Sequence, residues 1–193
     1  MNQSDYTYLI HSITSKMMIH FIILALLIFA SSPVNAQFIQ FSMTVESESG
    51  STVESELDFG LMNPNETTSI RLGDPNMGIF SIKGLATQII EIELISVEYL
   101  QHATVTNCVD ESCRIGVNLM AAYANQGQPV GDVRGVTILD SERAIFPISA
   151  DNTSRRSSTA LHTVYLYIFG DIEAADVIPG TYTGTLVLQV EYL

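Results

Sequence analysis

The chain has 193 residues, with eight basic side chains against 21 acidic ones and a formal net charge of -13. Its length fits one domain once a processed leader is set aside. So acidic a surface repels phosphate backbones and anionic lipid, which argues against nucleic acid and for a secreted product.

Lys16 precedes the apolar run FIILALLIFA at 21–30, which leads into SSPVNA with Val34 and Ala36 before Gln37. A positive flank, an apolar core and a small-x-small exit define a cleaved secretory signal over residues 1–36. The apolar core is too short to span a bilayer comfortably, so no stable membrane anchor is expected. The stretch before Lys16 carries little charge, which leaves Met17 or Met18 as alternative starts. No Cys follows the apolar run to take a lipid. The expected location is the periplasm, the bacterial cell surface or the medium.

Residues 37–56 read as an N-terminal strand and linker. Ile39, Phe41, Met43 and Val45 alternate with Gln40, Ser42, Thr44 and Glu46, the period of a strand, which is either the first strand of its own domain or a peripheral strand free to fill a neighbour's groove. ESGSTVESE at 48–56 is polar and acidic and is expected to be a loop. The body of the domain is expected over 57–193. LDFG at 57–60 reads as a short strand, followed by a turn at MNPNET, a strand over 68–72 and a second turn at GDPN. GIFSIKG at 78–84 is the next strand. In 87–99, Ile90, Ile92, Leu94 and Ser96 oppose Glu91, Glu93, Ile95 and Val97; the β-branched content favours strand over helix.

A hairpin is expected over 103–122, around Cys108 and Cys113. Export favours a disulfide, and two cysteines allow one intrachain pairing. Closing so small a loop contributes roughly 2 kcal/mol and fixes only a loop tip. Four residues between the cysteines argue against redox chemistry, and His102 alone is a weak metal candidate. NQGQPVGDVR at 125–134 is expected to be a loop, with short strands at 135–139 and 144–148. DNTSRRSST at 151–159 is a polar excursion holding Arg155 and Arg156. HTVYLYIFG at 162–170 is apolar on both faces, as an inner strand under crossing loops or at a subunit contact would be. Residues 171–178 read as a link.

The last stretch, GTYTGTLVLQVEYL at 180–193, places Tyr182, Gly184, Leu186, Leu188, Val190 and Tyr192 on one face. Thr181, Thr183, Thr185, Gln189 and Glu191 lie opposite, so one long half-buried strand is expected. Short strands punctuated by turn residues predict an all-β, immunoglobulin-like antiparallel β-sandwich. No nucleophile–base pair, phosphate loop or metal cluster is recognisable, so no catalytic residue, metal ligand or cofactor is assigned.

LDFG at 57–60, GIFSIKG, and PGTYTGTLVLQVEY at 179–192 together resemble a bacterial family of secreted domains of unknown function. That family is regarded as fimbrial-like or related to spore-coat U-type domains, and the resemblance covers roughly residues 40–193. It implies an exported immunoglobulin-like sandwich with no catalytic activity attached. The C-terminal stretch also resembles chaperone–usher pilus subunits, which carry a glycine fourteenth from the end and a penultimate tyrosine, here Gly180 and Tyr192. That resemblance implies a sandwich lacking a strand, completed by a periplasmic chaperone and then by another subunit's donor strand, for which Ile39, Phe41, Met43 and Val45 are the candidates. The cysteine spacing departs from the usual pilin disulfide, which ties distant strands. The expected function is an extracellular structural subunit of a pilus, filament or surface layer, whose partners are other copies or pilin-like subunits joined by strand addition. The alternative is a monomeric adhesin that binds a glycan or host protein through its loops.

Overall fold

Period-two alternation of apolar and polar side chains builds nearly every element of the computed structural model, and the described residues contain no α-helix. The described residues are 51–63, 65–105, 110–150 and 160–193, with 37–39 and 42–46 described by backbone pairing. All lie in the compact unit Asn35–Leu193. The expected signal at 1–36, Phe41, Cys108 and the 151–159 excursion lie outside the described residues.

The strands are β1 Gln37–Ile39, β2 Ser42–Glu46, β3 Ser51–Ser55, β4 Gly60–Met62, β5 Thr67–Ile70, β6 Gly78–Leu85 and β7 Ile89–Ile95. They continue as β8 Tyr99–His102, β9 Arg114–Ala124, β10 Thr137–Ile138, β11 Arg143–Pro147, β12 Leu161–Glu173, β13 Thr181–Thr183 and β14 Thr185–Tyr192. One sheet runs β3-β6-β12-β9-β8-β13-β1-β4, with β5 beside β12 and β10 beside β9; the other runs β11-β7-β14-β2. The antiparallel sandwich expected from the sequence is the fold. Two pairings depart from antiparallel: β1 lies parallel to β13, and β2 parallel to β14.

Inward-facing side chains of both sheets form the core. Phe80 and Ile82 of β6, with Val164, Leu166, Ile168 and Ile172 of β12, face Ile90, Ile92 and Leu94 of β7 and Leu186 and Leu188 of β14. Each such side chain contributes roughly 1.5–3 kcal/mol when fully buried. The Tyr123 and Phe146 rings stack between β9 and β11 at a centroid distance of 4.0 Å, tying one sheet to the other.

Several local expectations are corrected. The acidic stretch taken for a loop contains β3, because Thr52 and Val53 suit a pleated edge and pair with Ser81 and Phe80 of β6. Glu54 sits where the register shifts, and the Ser81 hydroxyl donates to its carboxylate at 2.6 Å. A bulge and a charge on an edge strand disfavour pairing with foreign strands. LDFG is not a strand: the Asp58 carboxylate accepts the Gly60 N–H at 2.8 Å, and Gly60 has φ +72°, which turns the chain while Leu57 and Phe59 stay buried. Strand β4 begins only at the last residue of the motif, Gly60.

The single strand expected over 87–99 is two, β7 in one sheet and β8 in the other. The chain changes sheets at 96–98, where polar Ser96 and Glu98 flank Val97. β12 extends to Glu173, three residues into the expected link. Its two apolar faces have separate reasons: Leu166 and Ile168 enter the main core, whereas Tyr167 points outward and is covered by the loop after β9. The Tyr167 hydroxyl donates to the Asp132 carbonyl at 3.3 Å.

Candidate functional site, the paired terminal strands

The C-terminal stretch keeps the alternation expected of it but not its continuity. Gly184 separates β13, in the larger sheet, from β14, in the smaller one. A strand that crosses from one sheet to its partner must bend sharply, and a residue without Cβ eases that bend. Tyr182, Leu186 and Leu188 are each 0% exposed, while Val190 and Tyr192 are partly buried against the core.

The N-terminal segment accompanies this stretch through the same crossing. Phe38 and Ile39 pair with Thr181 and Tyr182 in the larger sheet. Beyond positions 40 and 41, Met43 and Val45 fall level with Leu186 and Leu188 in the smaller one. The four candidate donor positions therefore divide as follows: Ile39 in β1, Met43 and Val45 in β2, and Phe41 outside the described residues. β14 has β7 on its other side, so both its backbone edges are occupied. The open groove along 180–192 implied by the pilus-subunit resemblance is closed here by the chain's own N-terminal segment, because a parallel strand in register satisfies the edge N–H and C=O groups.

The start of β13 is anchored by Gly180, Tyr182 and His102. A Cβ at Gly180 would collide with the His102 ring, so this glycine is required by close approach. His102 packs edge-on against Tyr182 at a centroid distance of 5.1 Å. Its Nε2 lies 3.3 Å from the Pro179 carbonyl, and its Nδ1 accepts the Thr104 N–H at 3.3 Å. These contacts pack the histidine, at the end of β8, against the turn before the last strands. The Tyr182 hydroxyl donates to the Ile178 carbonyl at 2.6 Å, and burial raises its pKa. The Ile178 N–H donates to the Ser112 carbonyl at 2.9 Å, tying the cysteine loop to the same turn.

Cys113 is buried at the end of a 3-10 turn, Glu111–Cys113. At the far end, the Tyr192 hydroxyl donates to the Lys83 carbonyl at 2.7 Å, joining β14 to β6 across the sandwich. The Gly180 and Tyr192 pair singled out from the sequence thus holds the two ends of the C-terminal stretch. Sequence reasoning missed His102 as the contact that requires Gly180; its only signal was a lone histidine beside a turn.

In the 125–134 loop, the Arg134 guanidinium bonds the Asp132 carboxylate at 2.6 Å and lowers its pKa to about 2. The Gln128 side chain closes the loop by donating to the Arg134 carbonyl at 3.0 Å. No helix among the described residues is long and apolar enough to cross a membrane. The geometry defines an immunoglobulin-like sandwich with its terminal strands paired in parallel. No family model matches the chain, and no curated protein matches it.

Proposed function

We propose that the protein is an extracellular structural subunit, fimbrial-like in character, that assembles by exchanging its N-terminal strands between copies. The observation that carries this reading is the parallel pairing of β1 and β2 with β13 and β14 across both sheets. A terminal segment docked along an edge makes the same contacts whether it comes from its own chain or from a neighbour. Exchange therefore changes little enthalpy, and concentration decides between the closed monomer and the linked form. Exchange in one direction leaves each copy with a free segment and an open edge, which propagates into a filament. Export through the 1–36 signal supplies the compartment, and there Cys108 pairs with Cys113 to fix the loop beside β13. A chaperone that lends a strand during export would keep the β14 edge from pairing prematurely.

The test places cysteines at Thr44 and Val187, which are Cα partners in the β2–β14 register. Cα positions across neighbouring strands lie within disulfide reach. Oxidation of the concentrated Thr44→Cys, Val187→Cys protein should give a ladder of covalent oligomers under denaturing conditions. Cross-linked monomer alone at every concentration would remove strand exchange. It would favour the second reading, a monomeric secreted binding module, which the occupied edges of β14 support.

A further inference from the structure

On the outer face of the larger sheet, Glu173 of β12, Gly116 of β9 and Tyr99 of β8 stand in one cross-strand row. Their neighbours Ile172, Ile115 and Leu100 point into the core and are buried, so these three face outward. Along β9, Arg114 and Asn118 lie two residues to either side of Gly116 on that same face. An aromatic ring opposite a strand glycine commonly folds over it to cover the bare backbone. Here it does not: a Cβ built on Gly116 would meet nothing within 4 Å among the described residues. Tyr99 remains 47% exposed. The Arg114 guanidinium lies 5.8 Å from the ring centroid, and its buried Nε has no hydrogen-bond partner among the described residues. The Asn118 amide approaches the Asp171 carboxylate at 3.5 Å, forming the opposite corner.

The result is a notch with a glycine floor, framed by Tyr99 and Glu173 across the strands and by Arg114 and Asn118 along β9. Between Cα positions the frame measures roughly 10 by 13 Å. We propose that this notch binds one neutral sugar ring of a glycan. A pyranose presents C–H groups on its face, which suit the exposed aromatic ring, and hydroxyls on its rim that both donate and accept. Glu173 and Asp171 supply acceptors, Arg114 supplies donors, and Asn118 supplies both. Two carboxylates against one guanidinium, on a chain of net charge -13, disfavour an anionic sugar. An extended peptide would seek a strand edge, whereas β9 is paired on both sides along this row. β8, β9 and β12 are the same whichever copy supplies β1 and β2, so the notch and the proposed strand exchange fail or stand separately.

The exported protein, labelled with nitrogen-15, is titrated with methyl glycosides of glucose, galactose, mannose and N-acetylglucosamine, and with galacturonate as the anionic control. At least one neutral glycoside should shift the amides around residues 99, 116, 118 and 173. Gly116→Val should weaken that binding at least tenfold. The new side chain fills the floor, while the open space and the strand preference of valine keep the fold intact. Tyr99→Ala should lose the binding as well. The assignment is overturned if no neutral glycoside moves these amides, if Gly116→Val binds as the parent does, or if galacturonate binds more tightly than every neutral probe.

Discussion

Gly180, in the turn before β13, and Gly116, in β9, show how one residue type serves opposite purposes. A methyl group at Gly180 collides with the His102 ring, whereas at Gly116 it meets open space. Gly180→Ala should therefore destabilise the protein by about 1–3 kcal/mol, the usual range for overpacking. Gly116→Ala should cost little or stabilise slightly, because alanine restricts the unfolded chain. Urea unfolding of the two variants side by side checks the contrast. Two titrations belong to the same scale. Asp132 is held at about 2, below its ordinary 3.8, first by the hydrogen bond from the Arg134 side chain. Its contribution is complete above pH 3.8 and is lost as pH falls through about 2. A carboxyl NMR titration should find that midpoint, and Arg134→Gln should return it toward 3.8. Tyr182 shifts the other way: burial raises its pKa, so its contribution is present below its unfolded value and is lost as pH climbs through the folded one. Tyr182→Phe should flatten the alkaline limb of the stability profile while costing about 1 kcal/mol at neutral pH for the lost bond to the Ile178 carbonyl.

At the scale of the element, β14 and β2 share a register but not a role. Leu188 is fully buried between the sheets, and a carboxylate there would be desolvated without a partner. Leu188→Asp should prevent folding, seen as lost β-sheet circular dichroism and rapid proteolysis throughout. Position 45 is level with Leu188 but lies on the edge strand of the smaller sheet. Val45→Asp should release the N-terminal segment and leave β7 paired with β14. Limited proteolysis should then trim the segment and spare a folded core. If Val45→Asp unfolds the chain as completely as Leu188→Asp, the segment is an inseparable part of the core and strand exchange fails. The proposed Cys108–Cys113 disulfide is a smaller element with a smaller effect: its reduction should lower stability by only about 2 kcal/mol, since it closes a short loop.

For the whole molecule, the proposed exchange predicts a chain that can be completed from outside. Removing residues 37–46 should leave the β13–β14 edge unpaired and the protein prone to association. A synthetic peptide of those residues should then bind the truncated protein and return it to a monomer, as calorimetry and size-exclusion chromatography would show. Failure of the peptide to bind a truncated protein that remains folded and monomeric would mean that the edge does not require a strand. The neutral-sugar notch is framed by β8, β9 and β12, none of which is exchanged, although β1 and β13 share its sheet. Assembly through the terminal strands would therefore repeat the notch along a filament, and many weak sites on one object bind far more tightly than a single one.

Alternation of apolar and polar residues was enough, by itself, to determine the all-β character and the buried rows Ile90, Ile92, Leu94 and Leu186, Leu188, while the apolar run on both faces of 162–170 marked the inner position of β12. Side-chain direction in a strand is a local property, so a local pattern carries it. The sheet change at Gly184, the split between β7 and β8, and the strand within ESGSTVESE were decided by tertiary structure, because a pattern says which face is buried but not which sheet receives it. The same limit applied to the chain's two ends. The sequence marked Ile39, Phe41, Met43 and Val45 as one strand-like row and Leu186 and Leu188 as part of another. Only the folded backbone could bring the two rows into parallel register, since pairing across so long a separation depends on every strand placed between them.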